Sequence, residues 1–128
     1  MALSHARPED PIDVTPLGAR LGETASHALL KTRSMELMRL VLRAGEALPQ
    51  HSVDAEATLH CIEGAAQVRM PAGECRLEAG MLVLVPAGRS YAVQAVADTS
   101  LLVTMLLPFG GSASATSPGR GPSSVSSG

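Results

Sequence analysis

From residue 56 to residue 107 the chain is cut into short apolar pieces by glycine and proline. EATLHCIE, AAQVRM, ECRLEA, MLVLVP, YAVQAV and SLLVTMLL follow one another, separated by Gly64, Pro71-Ala72-Gly73, Gly80, Pro86-Ala87-Gly88 and Ala97-Asp98. Short strands at this regular spacing, with turn residues between them, predict an all-β sandwich or barrel. Upstream, SMELMRLVLR (residues 34–43) alternates: Glu36, Met38, Leu40 and Leu42 fall on one side, and Leu37, Arg39, Val41 and Arg43 on the other. That is the pattern of a strand with one core face. Helical periodicity fits the same window, but AGEALP follows directly, and its turn and proline oppose a long helix. Residues 26–32 form one more short apolar run, and VTPLGARLGETA has room for a helical turn that its two glycines weaken.

The core of such a barrel must be aliphatic, because the 128 residues include one Phe, one Tyr and no Trp. That length suits one domain. Residues 109–128 are nearly all Gly, Ser, Pro and Ala, too poor in apolar surface to offset the entropy of ordering, so a disordered tail is expected there. Residues 1–10 read as a disordered or flexible N-terminus, which leaves residues 11–108 as the folded unit.

A formal net charge of -2 gives no clustered basic footprint for nucleic acid. The longest apolar run, Met81 to Val85, is strand-length, far from the about 20 residues that cross a bilayer. MALSHARPEDPIDV carries charge and proline where a signal peptide needs an apolar stretch, so a cytoplasmic protein is expected. Cys61 and Cys75 are then thiols. A turn at Pro71-Ala72-Gly73 also sets Cys75 opposite a residue near Val68 and not opposite Cys61.

Two stretches resemble the sequence motifs of the cupin superfamily. The first family motif runs Gly, five residues, His, one residue, His, three or four residues, Glu, six residues, Gly. Gly45, His51 and Gly64 match it, while Val53 stands at the second His and Ala57 at the Glu. The second motif runs Gly, five residues, Pro, one residue, Gly, two residues, His, three residues, Asn. Gly80, Pro86 and Gly88 match, with Tyr91 at the His and Ala95 at the Asn. The segment SHALLKTRSMELMRLVLRAG also resembles small bacterial single-domain cupins of the RmlC-like kind. The resemblance spans residues 35–107 and implies a double-stranded β-helix, a jelly-roll barrel, with a short irregular N-terminal segment. It further implies a metal site of which His51 alone remains.

The chemistry expected of such a barrel follows from what replaced the ligands. A transition metal generally needs several nitrogen or oxygen donors facing one cavity. With Val53, Ala57 and Tyr91 at three of the four positions, no cofactor is expected. The reading is a non-catalytic or weakly catalytic barrel that binds or senses a small molecule, through a pocket including His51, Tyr91, Arg39 and His60. Two enzymatic alternatives remain open. A bulge near Asp54-Ala55 would shift Glu56 and His60 to the side of His51, giving a His-Glu-His set for a divalent metal and an oxygenase or isomerase. Alternatively His51 and Tyr91 form the base and acid of a metal-free, epimerase-like enzyme. Arg39, on the mixed side of its strand, would hold an anionic ligand if it points inward. If it points outward, it meets solvent or a second subunit. His5 and His27 read as surface or tail residues, and Cys61 as a small buried side chain. A homodimer that buries the apolar outer surface of one sheet is expected, with no nucleic acid or membrane partner.

Overall fold

The computed structural model describes residues 6–52 and 54–108, with the backbone alone at His51. Nine strands follow a short 3-10 helix at Gly18–Glu23: β1 (His27–Lys31), β2 (Met35–Leu42), β3 (Ala47–Ser52), β4 (Ala57–Glu63), β5 (Ala65–Met70), β6 (Gly73–Glu78), β7 (Leu82–Val85), β8 (Ser90–Ala95) and β9 (Thr99–Leu106). They form two antiparallel sheets, ordered β1-β2-β9-β4-β7 and β3-β8-β5-β6, that close face to face as a jelly-roll barrel. The tail at residues 109–128 and the first five residues lie outside the described residues, as does Val53. Within the expected flexible N-terminus, the Ala6 amide donates to the Leu29 carbonyl of β1.

Each strand sends alternate side chains to opposite faces. On β4, Ala57, Leu59 and Cys61 are buried while Thr58, His60 and Ile62 are not. Leu40 and Leu42 of β2 and Leu101 and Val103 of β9 join the same inner face. The facing sheet contributes Ala66, Val68, Leu77, Tyr91, Val93 and Ala95. The result is the aliphatic core that the composition demands, with Tyr91 the single aromatic ring inside it.

Two elements depart from the sequence reading. AGEALP is more than a turn, since Ala47 onward continues as β3 against β8, with an irregularity between Leu48 and His51. Pro49 sits in that break, where its missing N–H costs the ladder nothing. The weak helical turn also forms, as the 3-10 helix, and Gly18 enters it at φ 60°, a conformation glycine adopts freely. The turn at residues 71–73 does pair Val68 with Cys75, and both cysteines are free thiols.

Gly64 carries the tightest backbone constraint. It turns the chain from β4 in one sheet to β5 in the other at φ 86°. A side chain there would collide with the Asp98 carbonyl, the Thr99 hydroxyl and the Thr99 Cα. Gly80 has a similar φ of 90° but open space beside it. Gly80→Ala should therefore cost about 1 kcal/mol of unfolding free energy, the penalty of a left-handed conformation alone. Gly64→Ala should cost at least about 3 kcal/mol, because backbone must move as well. Parallel urea titrations of the two variants measure the difference, and equal losses would contradict the packing account.

Candidate functional site

The four residues expected to share a pocket separate into two pairs. Tyr91 is 2% exposed and projects into the barrel. Its cross-strand partner on β3 is His51, whose backbone stands directly opposite it. The His51 side chain is outside the described residues. Arg39 and His60 project from the other side of the other sheet. In register across β1, β2, β9, β4 and β7 runs the outer-face row His27, Arg39, Leu102, His60, Leu82. Arg39 and His60 thus flank Leu102, on the far side of the sheet from Tyr91.

Alternation on β4 is the physical reason. Ala57 is 2% and Leu59 0% exposed, so His60, one residue further on, must face outward. No shift near Asp54-Ala55 reverses this. Glu56 is exposed and stands beside Thr58, Leu84 and Leu106 on the outer face. His60 lies in one sheet, with Glu56 just ahead of the same strand, and His51 lies in the other, so the described residues do not assemble the His-Glu-His alternative. Among the described residues, no three His, Cys, Asp or Glu side chains lie close enough to hold a metal ion.

Inside the barrel the donors are few. Burial pushes the Tyr91 phenol above its ordinary value, so it stays a neutral hydroxyl through the physiological range. Burial likewise raises the Cys61 thiol, against a weaker opposing effect from its hydrogen bond to the Glu63 carbonyl. Cys61 is therefore a core thiol and not a thiolate nucleophile.

On the outer face, Arg39 is only 3% exposed, although it points away from the barrel interior. The chain segment before β1 folds back over β1 and β2 and covers it. One guanidinium nitrogen donates to the Ser100 hydroxyl at 3.3 Å and another to the Asp13 carbonyl at 3.4 Å. Ser100 in turn donates to Glu63 at 2.7 Å. Glu63 also accepts from the Leu17 and Gly18 amides at 2.8 and 3.1 Å. These amides open the 3-10 helix, whose N-cap residue Leu17 has no side chain able to accept them. A carboxylate 46 residues away performs the capping instead. At the other end of the helix, the Arg43 guanidinium donates to the Gly22 carbonyl. Sequence reasoning missed Glu63, Asp13 and His27 here. The available signal was Arg39 itself, since a charge within an apolar strand must find partners if buried.

No protein-family model matches this sequence, and no curated protein does. Solved structures do match. A cupin superfamily protein from Desulfitobacterium hafniense superposes with a TM-score of 0.67 at 15% identity, covering 84% of this chain and 100% of that one. An RmlC-like cupin from Desulfovibrio desulfuricans gives 0.65 at 19% identity, covering 76% and 96%. Salicylate 1,2-dioxygenase from Pseudaminobacter salicylatoxidans gives 0.58 at 20% identity, covering 63% of this chain and 25% of its own. The chain has the cupin fold. Proteins with this fold thus include both uncharacterised barrels and an enzyme, and the fold alone assigns no activity. Cupin metal sites draw their ligands from the inner face, where this chain presents the Ala57 methyl and the protonated Tyr91 phenol. The sequence has Val53 at a third such position and His51 at the fourth, and the described residues assemble no set of donors for a divalent ion.

Burial acts to raise the Glu63 carboxyl, but the Ser100 hydroxyl, the Leu17 and Gly18 amides and the Arg39 charge together hold it below its ordinary 4.5. A lowered folded-state pKa contributes stability that is present above the ordinary value and lost as pH falls through the lowered one. Acidification through and below the ordinary carboxylate range should therefore lower the protection factors of the Leu17 and Gly18 amides while those of β4 and β9 stay high. In Glu63→Gln the protection factors of these two amides should be low on both sides of that range. Hydrogen exchange read by NMR measures this, and uniform loss of protection across the barrel would contradict it.

Proposed function

We propose that this cupin is a small-molecule-binding or sensing barrel, non-catalytic or at most weakly catalytic, with an apolar interior and one hydroxyl to orient a ligand. The observation that carries the reading is the inner face: Leu59, Leu101, Val68, Val93 and Ala57 share one core cluster with Tyr91, and three of the four positions at which the family motif has metal ligands hold Val53, Ala57 and Tyr91. Such a lining favours apolar contacts with few polar anchors, as small-molecule sites commonly do. The free thiols Cys61 and Cys75 fit a reducing, cytoplasmic setting. Among the described residues, no helix is long and apolar enough to cross a membrane.

Metal analysis of the purified protein tests the reading. Iron, manganese, nickel and zinc should each stay well below one ion per chain, and His51→Ala should not change them. One bound ion per chain that disappears in His51→Ala would overturn the proposal and place an enzymatic function first.

A second reading draws on the β3–β8 register, which sets His51 opposite Tyr91. Cross-strand partners stand about 5 Å apart, close enough for a base and an acid to flank one substrate. This reading expects turnover of a sugar or keto substrate that Tyr91→Phe abolishes with little change in melting temperature. An active Tyr91→Phe variant would remove it.

The expected homodimer has a candidate surface. Leu82 and Leu84 on β7 are 59% and 48% exposed, and Leu106 on β9 is 45% exposed. β7 is also an end strand of its sheet, with one hydrogen-bonding edge open. Two copies meeting there would bury both the apolar face and the edge. Light scattering during gel filtration should then give a dimer mass for the parent chain and a monomer mass for Leu84→Glu, with unchanged β-sheet circular dichroism. A monomeric parent chain would dismiss the surface as an interface.

A further inference from the structure

Between the segment that precedes β1 and the outer face of β1 and β2 lies a cavity of about 350 Å³. It is separate from the barrel interior and lies on the opposite side of the five-stranded sheet. At its floor is Arg39, which gives two of its donors to Ser100 and Asp13. A guanidinium has five N–H donors, so Arg39 retains donors for a further acceptor. Arg20 of the 3-10 helix and His27, the β1 partner of Arg39, line the same space. Nδ1 of His27 lies 2.8 Å from the Ala25 carbonyl, which assigns that nitrogen the proton and leaves Nε2 for a ligand.

One negative group faces these two guanidiniums. The Asp13 carboxylate also lines the cavity, and hydrogen bonds from the Thr15 hydroxyl and amide at 2.6 and 2.9 Å hold it in place. Those bonds to Thr15, with lesser help from the Arg39 and Arg20 charges, keep its carboxyl below the ordinary range. Glu63 balances Arg39 from behind, through Ser100. Leu17 and Leu29 supply the apolar wall. The cavity therefore offers two guanidiniums, one carboxylate and an aliphatic surface. Its volume is at the small end of ligand pockets, roughly 300–1,000 Å³.

We propose that this outer cavity binds a small zwitterion with an aliphatic side chain, of the α-amino-acid class. Its carboxylate sits on Arg39 and Arg20, its ammonium on Asp13, and its side chain on Leu17 and Leu29. A guanidinium suits the carboxylate because its forked donors match two oxygens at once. Occupancy would fasten the segment before β1 onto β1 and β2, because both sides of the cavity contribute to the grip.

NMR titration of the full chain with three probes tests the proposal: leucine, 4-methylpentanoate, which lacks the ammonium, and 3-methylbutylamine, which lacks the carboxylate. Leucine should perturb Thr15, Thr24 and His27 saturably, with a dissociation constant on the order of 1 mM, and leave Tyr91 unmoved. The carboxylate analogue should bind about tenfold more weakly and the amine more weakly still. Arg20→Gln, which alters an exposed side chain and leaves the Arg39–Ser100–Glu63 chain intact, should weaken leucine about tenfold. Arg39→Lys, where it folds, should do so at least as strongly. The proposal is overturned if leucine gives no saturable change at these residues, if either analogue binds as tightly as leucine, or if Arg20→Gln binds it unchanged. Perturbation centred on Tyr91 would also overturn it, since that would place the ligand inside the barrel.

Discussion

The pleat of β4 decides what this barrel can do. Side chains leave a strand to alternate faces, and burial of Ala57, Leu59 and Cys61 commits Thr58, His60 and Ile62 to the outside. Pairing on both sides, to β7 and to β9, fixes that register from Ala57 to His60. A slip of one residue would expose Leu59 and bury a histidine, losing about 2 kcal/mol or more of leucine burial and leaving a polar ring without partners. The burial of Leu59 and the exposure of His60 therefore both favour the observed register. The interior chemistry follows: aliphatic walls, a protonated phenol and a protonated thiol.

Outside, one charge organises a whole segment. Arg39 faces away from the core in the middle of a largely apolar strand, where an unpaired guanidinium under protein would be strongly unfavourable. It is tolerated because Ser100 and the Asp13 carbonyl accept from it, and because Ser100 passes the interaction on to Glu63. Glu63 then caps a helix too short and glycine-rich to hold itself. The segment before β1 is thus secured by polar bonds more than by burial, with Leu21 its one buried residue among those described. Such attachment can loosen without unfolding the barrel, since stability is distributed unevenly in a domain.

Legibility in the sequence followed the range of the interactions. Turns are local, so the glycines and prolines between β4 and β9 marked the strands directly, and the in-register Gly45, Gly64, Gly80 and Gly88 pointed to the fold. β3 was obscured because Pro49 reads as a breaker, whereas a strand irregularity absorbs it. Tyr91 was legible as inward-facing because it occupies a motif position. His60 had two readings, outward on the family register and inward with a bulge near Asp54-Ala55, and pairing with two other strands selects the outward one. Arg39 could be singled out as unusual, but its partners lie 26 and 61 residues away. Nothing local in the sequence names Asp13 or Ser100 as those partners, and His27 lost its significance for the same reason.

Two faces of one sheet therefore carry two different chemistries. Among the described residues the inner face is largely aliphatic, with the Tyr91 phenol and the Cys61 thiol set among Leu, Val and Ala side chains. The outer face has gathered Arg39, Arg20, His27 and Asp13 under a segment that Glu63 pins down. Because Leu101 and Leu102 are adjacent on β9, one packing inward and the other lying between Arg39 and His60, a shift of β9 along its length would disturb both faces together. The sheet is held on both sides of β9, so such a shift would have to move β2 and β4 as well. A disturbance of β9 from either face would therefore reach Ser100, and with it the contacts to Arg39 and Glu63.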